Sequence, residues 1–466
     1  MSFRKILGAS LALVAGGVGV AQAINPASVP AANRIYFSGA TATDNILENV
    51  LILQTNGVCQ VGTIDIYRGV NQRVIACNAA IPGLVGQPIA FFKESLGGSG
   101  NGVNPVANAT PLQFLDVDNP SFSCTGGPTS VPPTATLNGY TERTGCTPNV
   151  AQVPGAGISD VEPRLLGASQ AQINNLTTQG VLGIVFAPAV SLNLYRALQQ
   201  AQGLAQNDNP ENIPNLTSAQ VRALYTGFYA DWSQFDDLQP FLPADTTVYV
   251  CRRGDTSGTQ ASYESYVLNQ RCVDGVTGFV EATNPACEVP GCNYGPSFAN
   301  DQVFAGFSSG DVRLCLDARN DQGRWAVGVL STENTYNNTD RQFRWTRIDG
   351  APPTLEAVAN GRYSFFTENV INRRNGALNT TQTAVVNYLA ANLGQPAVIA
   401  GVNAPFQANP HGDGGVIAVP NFTTINPNPS PVTQAQMRTN PVNSQVRNGN
   451  NCTPPISAGD QQSGGI

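Results

Sequence analysis

The chain has 466 residues, 12% of them charged and 41% apolar, with ten cysteines, one histidine and a formal net charge of −7. Soluble proteins average about 25% charged residues, so about half the usual charge is missing, yet the apolar content is enough for a packed core and excludes wholesale disorder. One imidazole cannot build a His-rich metal centre, and the acidic balance argues against nonspecific nucleic-acid binding, which needs clustered Lys and Arg.

Residues 1–23 read as a secretory signal. Arg4 and Lys5 form a positive start, Ile6 to Val20 is an apolar run, and Ala21-Gln22-Ala23 has the small-x-small form of a cleavage site. The run falls short of the ~20 residues that a membrane helix needs. The expected product is periplasmic or secreted after cleavage near Ala23. All ten cysteines follow that point, and an even count in an exported chain reads as disulfides. Local spacing predicts Cys59–Cys77, Cys124–Cys146, Cys251–Cys272 and Cys287–Cys292, which leaves Cys315 with Cys452. No paired C-x-x-C sets exist for zinc.

Arg34-Ile-Tyr-Phe37 predicts a strand. A turn of small residues follows, Ser38-Gly39-Ala40-Thr41-Ala42-Thr43. Ile46, Leu47, Val50, Leu51 and Leu53 then predict a helix capped by Asp44 or Thr43. Such a unit presents backbone N–H groups to a ligand. Short strands are expected within 61–76 and 88–92, and a disulfide-pinned irregular insertion over 104–157. A buried strand is expected over 181–190. A helix over 217–228 opens on a Thr217/Gln220 capping box, with Val221, Leu224, Tyr225 and Phe228 on one face. Residues 270–300 form a second cysteine-rich loop. Further strands are expected at Trp325–Leu330 and from Tyr363 into Ile371. A helix at Thr381–Leu393 is closed by Gly394 and stopped by Pro396. A tail follows Cys452. Strands alternating with helices predict an α/β protein.

The most informative segment runs Val248-Tyr-Val-Cys251-Arg252-Arg253-Gly254-Asp255-Thr256-Ser257-Gly258-Thr259-Gln260. It reads as a strand, a tight loop and a helix to about Asn269. Ser257 is a good N-cap, paired with Gln260. Gly258 permits close approach of a ligand. The first-turn N–H groups lack helical partners and lie at the positive end of the dipole. Ser257 and Thr259 add hydroxyls, Arg253 adds a planar fork suited to tetrahedral oxyanions, and Asp255 is expected to lock that Arg in place.

Arg-x-Asp-x-Ser-Gly-Thr after a strand resembles the periplasmic phosphate-binding proteins of phosphate ABC transporters. Other segments resemble that family in the same order. They are Ser38–Thr43, Gly98-Ser99-Gly100-Asn101-Gly102, Ile158-Ser159-Asp160-Val161, the Leu224–Trp232 segment with its G-x-x-x-x-W pattern, and Ala326-Val-Gly328-Val. The resemblance covers about 34–394 in patches. It implies a two-lobed α/β periplasmic-binding-protein fold of type II, with two chain crossovers between lobes. Lobe one would be 24–172 plus 364–466, and lobe two 173–363. By position it implies Thr41, Thr43, Ser99, Asp160, Arg253, Asp255, Ser257, Gly258 and Thr259 as ligand-binding residues. Asp160 would accept the proton of a protonated phosphate and repel sulfate. The implied partners are inorganic phosphate or a similar oxyanion and an inner-membrane ABC permease. A monomer with no cofactor, no metal and no enzymatic activity is expected.

The sequence departs from the family between Ser99 and Asp160, which are unusually far apart. Pro105 and Pro111 interrupt the helix expected after Ser99. Asp44 replaces an aromatic, and could cap its helix or disfavour a dianion. The cysteine-rich insertions are not general family features. Two other functions compete. A surface or matrix protein with a vestigial pocket fits the charge-poor, disulfide-rich chain. A secreted phosphatase or esterase would need His411 with Ser257 or Ser99, but no Gly-x-Ser-x-Gly surrounds Ser257.

Overall fold

Apolar runs rich in Val, Ile and Phe become strands of one 14-stranded mixed sheet. The computed structural model describes residues 24–288, 292, 294–334, 341–404, 407, 412–420, 425–428 and 431–457. The signal-like segment 1–23 and His411 lie outside the described residues.

The strand order divides into two groups. On one side lie Val303–Gly306, Tyr249–Arg253 and Ala326–Ser331. On the other lie Ala156–Ser159, Arg34–Gly39, Pro88–Glu94, Gln72–Asn78, Asp65–Arg68, Tyr140–Thr147 and Ser123–Val131. Between them run Leu176–Ser191 and Phe366–Arg374, an antiparallel pair. The first of these is long enough to belong to both groups. Residues 176–185 pair with Phe366–Arg374, and 186–190 pair with Ala326–Ser331. The chain passes between the groups along one strand and returns along the other, so the fold is α/β with two crossings.

Within each group the strands leading to the Ser38–Thr43, Ser99, Asp160 and Ser257 segments are parallel. Arg34–Gly39 is parallel to Pro88–Glu94 and Ala156–Ser159. Tyr249–Arg253 is parallel to Val303–Gly306 and Ala326–Ser331. Parallel strands deliver their carboxyl ends to one edge, where α/β proteins hold ligands. Helix Asp44–Ile52 buries Ile46, Leu47, Val50 and Leu51 against the sheet, as its spacing predicts. Helices Gly258–Leu268 and Ser309–Asp321 follow the Tyr249 and Val303 strands.

Several expectations are corrected. The 104–157 insertion is not irregular. It forms the hairpin Ser123–Val131/Tyr140–Thr147, with Cys124 directly opposite Cys146, and Tyr140–Thr147 extends the sheet beside Asp65–Arg68. Its Thr and Val residues suit a pleated, half-exposed surface. Three disulfides pair as expected, Cys59–Cys77, Cys124–Cys146 and Cys287–Cys292. The other two exchange partners, Cys251–Cys315 and Cys272–Cys452. Cys251 lies inside a strand, beneath helix Ser309–Asp321, so its partner comes from that helix and not from the next cysteine in sequence. Helix Ser218–Tyr225 carries its reciprocal Thr217/Gln220 box, but ends at Gly227, whose φ of 71° is left-handed. Phe228 therefore leaves the apolar face and stands 76% exposed. Helix Thr380–Asn392 forms, yet Pro396 opens a further helix, Pro396–Asn403, where the first turn needs no N–H from it. Beyond Cys452, Ile456–Ser457 pairs with Gln445–Val446.

Candidate functional site

The two groups of strands meet at the loop Gly254–Ser257. Ser257 caps helix Gly258–Leu268, its Oγ accepting from the Gln260 N–H at 3.3 Å. The expected reciprocal half of the box is diverted. Gln260 Oε1 accepts from the Arg253 N–H at 3.1 Å and its amide donates to Glu264 Oε1 at 3.0 Å, stitching the helix to the strand before it. At the helix start Gly258 faces Ser99 and Asp160 so closely that a Cβ would stand 2.1 Å from Ser99 Oγ and 2.8 Å from Asp160 Cβ. Only glycine permits this approach.

Ser99 lies in the one-turn helix Gly98–Asn101, with Pro105 in the first turn of the separate helix Asn104–Asn108. The break follows from the proline. Helix Gly98–Asn101 packs against the 3-10 turn Thr41–Thr43 on one side and helix Gly258–Leu268 on the other. A backbone bond from Gly100 N–H to Thr256 O, 2.9 Å, joins the two strand groups directly. Ala261 of the long helix packs with Val103, Val106 and Val161 beneath this junction.

Asp160 follows strand Ala156–Ser159 and is 2% exposed. Its N–H donates to Ser99 Oγ at 3.0 Å. Its carboxylate accepts from Thr259 Oγ1 at 3.3 Å and from Asn369 Nδ2 at 3.2 Å, and its carbonyl from Thr367 Oγ1 at 2.8 Å. Burial pushes the Asp160 carboxyl up to about 6, opposed by the charge of Arg253 and by its hydrogen bonds to Ser99, Thr259 and Asn369.

Arg253 ends its strand and is 1% exposed. One terminal nitrogen donates to Ser309 Oγ at 3.1 Å and the other to Phe307 O at 2.7 Å. Its Nε is buried without a hydrogen-bond partner among the described residues. Burial pushes the guanidinium down to about 10, opposed by Asp160, Asp311 and Glu333, so it stays cationic at neutral pH. Asp255 does not lock it. Asp255 lies in the turn after the strand, where it pairs with Arg252 while 70% of its side chain is exposed. Ser309 and Phe307 hold Arg253 in its place.

Thr43 is buried, and its hydroxyl donates to Ala40 O at 2.8 Å; Thr41 is half-buried in the same turn. Asp44, next to them, is compensated locally. It accepts from Ser95 Oγ at 2.8 Å and faces Lys93 at 3.2 Å and Arg73 at 3.3 Å. Of the nine residues expected at the site, Ser99, Asp160, Arg253, Ser257, Gly258 and Thr259 converge, Thr41 and Thr43 adjoin Ser99 through the packed turn, and Asp255 faces away. Sequence reading missed Ser309, Thr367 and Asn369. The polar Thr-Glu-Asn triplet inside the apolar strand Phe366–Arg374 is the one local signal that pointed to two of them.

No family model and no curated protein matches the chain. Among solved structures it is similar to a protein from Clostridium perfringens described as a phosphate ABC transporter substrate-binding protein with bound phosphate. That match has 15% identity and a TM-score of 0.43, covering 79% of this chain and 98% of that one. It is also similar to PstS from Borrelia burgdorferi, with 12% identity and a TM-score of 0.34, covering 79% and 97%. An ABC-type phosphate transport receptor from Vibrio cholerae matches with 17% identity and a TM-score of 0.31, covering 52% and 75%.

Proposed function

We propose that the chain is an exported solute-binding protein that captures phosphate, or a similar tetrahedral oxyanion, in a cleft between two lobes. Lobe one is taken as 24–172 plus 364–466 and lobe two as 173–363. The observation that carries the reading is the convergence of three kinds of group on one buried point. Ser99, Ser257 and Thr259 supply hydroxyls, helix Gly258–Leu268 supplies first-turn N–H groups, and Arg253 supplies a buried cation with an unused N–H. Asp160 is the acceptor for a ligand proton. A sulfate ion has none at neutral pH, and would leave the carboxylate unpaired beside an anion.

Ser99, Asp160, Arg253, Ser257 and Thr259 are all at most 3% exposed. A ligand reaches them only when the lobes part about the two crossing strands. Binding then closes the cleft and completes contacts from both lobes, which is capture without turnover. Five disulfides among the described residues suit an oxidising compartment, which supports export. An ABC permease that accepts the closed form is the corresponding partner, and the protein acts as a monomer.

Calorimetric titration of phosphate and of sulfate into unfolded, dialysed and refolded mature protein tests this. Saturable phosphate binding with much weaker sulfate binding is expected. No heat and no thermal shift with phosphate would overturn the reading.

A further inference from the structure

Four of the five disulfides among the described residues stay within one proposed lobe. Cys59–Cys77 and Cys124–Cys146 lie in lobe one, Cys251–Cys315 and Cys287–Cys292 in lobe two. Cys272–Cys452 runs from lobe two to lobe one, across a sequence separation of 180. Cys272 follows helix Gly258–Leu268, whose first turn sets Thr259 against Asp160. That helix spans about 16 Å, so the bridge sits a helix length behind the anion-binding turn. The neighbouring Arg271 crosses the same boundary. It donates to Leu165 O in lobe one at 2.7 Å and to Asp255 O in lobe two at 2.9 Å, and it pairs with Glu264. Both cysteines pack against the apolar cluster that holds Val103, Val161 and Leu165 to Ala261.

Cys452 is the end of a C-terminal segment that lobe one holds firmly. Glu368, on the crossing strand Phe366–Arg374, accepts from the Arg447 and Gly449 N–H groups, both at 2.6 Å. Glu162, two residues beyond Asp160, accepts from the Asn451 N–H at 3.0 Å and from its Nδ2 at 2.6 Å. The buried Arg447 donates from Nε to Phe366 O at 3.0 Å and from Nη2 to Ser364 O at 2.7 Å. These bonds fix the segment before it reaches the bridge, so it is not a slack tether that could follow a moving lobe two.

We propose that Cys272–Cys452 is a third, covalent connection between the lobes, which restricts opening of the cleft and so slows release of the bound oxyanion. The inference rests on the two-lobed oxyanion-binding reading and adds how the cleft moves. The crossing strands and the bridge are two fixed regions. They leave one easy motion, rotation about the line between them. That rotation draws the first turn of helix Gly258–Leu268 from Ser99, while the far end of the helix stays beside Leu165. A cross-link acts by removing conformations from the looser state. Here the looser state is the open cleft, and a restraint felt only there shifts the population toward the closed form.

The test chases radiolabelled inorganic phosphate from the mature protein with unlabelled phosphate. Small-angle X-ray scattering gives the radius of gyration with and without phosphate. Cys272→Ser/Cys452→Ser is compared with Cys59→Ser/Cys77→Ser, which loses a bridge inside lobe one. The first variant should release phosphate about tenfold faster than the unaltered protein, a change of about 1.4 kcal/mol, and should expand more on losing it. The second should match the unaltered protein in both. Equal release and equal expansion in all three proteins, or the same change in both variants, would overturn the inference and leave the oxyanion reading standing. If the unaltered protein binds no phosphate, both fall. Should the first variant not fold, limited reduction of the folded protein opens the same bridge, whose two cysteines are half-buried. Alkylation then identifies the opened form, and its release rate decides.

Discussion

Replacing Gly258 by Ala adds one methyl group where three elements touch. The new Cβ would stand 2.1 Å from Ser99 Oγ, 2.7 Å from Ser99 Cβ and 2.8 Å from Asp160 Cβ. Ordinary contact needs about 3.5–4 Å, so the facing groups must retreat by about an ångström. They are poorly able to do so. Ser99 Oγ is tied to the Asp160 N–H, and the Asp160 carboxylate to Thr259 and Asn369. Overpacking of this kind costs about 1–3 kcal/mol. On the proposed function it falls on the closed form, because parting the proposed lobes would draw helix Gly258–Leu268 away from Ser99. Phosphate affinity should then drop by roughly five- to a hundredfold, while the ligand-free melting temperature changes little if the free protein rests open. Gly254→Ala is the matched control. Its Cβ would sit 3.4 Å or more from a Glu288 side chain that can swing aside. Isothermal titration and scanning calorimetry of both variants read the two effects. Gly258→Ala binding phosphate as tightly as Gly254→Ala would refute the reasoning.

Arg253→Lys keeps the charge but cannot donate to Ser309 and Phe307 while keeping an N–H for the ligand. With charge-assisted bonds worth about 1.5–3 kcal/mol, phosphate affinity should fall on the order of ten- to a hundredfold by titration. Removing the Cys272–Cys452 bridge with paired serines releases a loop of separation 180, up to ~5 kcal/mol of chain-entropy stabilisation, whereas the Cys287–Cys292 separation of 5 corresponds to ~2. Urea unfolding should rank the two double variants in that order. For pH, the Asp160 and Glu333 carboxyls sit at about 6 and about 8, above their ordinary 3.8 and 4.5. The native state thus holds protons that the unfolded chain has released, and the stability of the phosphate-free protein falls as pH rises from 5 to 8. Asp160→Asn should flatten that fall in thermal melts and weaken phosphate binding.

What the sequence made legible was local. The Ser257 cap and the Thr217 box depend on neighbours within four residues, and both form. The Cys124–Cys146 bridge was readable because its cysteines follow each other in sequence and form a cross-strand pair in one hairpin. What escaped depended on contacts between distant segments. Ser309 reaches Arg253 from 56 positions away and Asn369 reaches Asp160 from 209. No spacing rule announces such partners. Asp255 was misplaced because a motif fixes residue order but not which side of a strand end each side chain takes. Phe228 was misplaced because the apolar period runs on past the glycine that ends the helix.

The exchanged pairs Cys251–Cys315 and Cys272–Cys452 bear on how the chain matures. A ribosome delivers Cys251 and Cys272 before either native partner, and Cys452 after the other nine cysteines. Oxidation in order of appearance would join the first two and trap the strand that carries Arg253 against the wrong neighbour. Correct assembly needs either a thiol kept reduced until synthesis ends or a shuffling catalyst that undoes the early bond. A host that supplies neither would accumulate protein with a full complement of disulfides and Arg253 held in the wrong place.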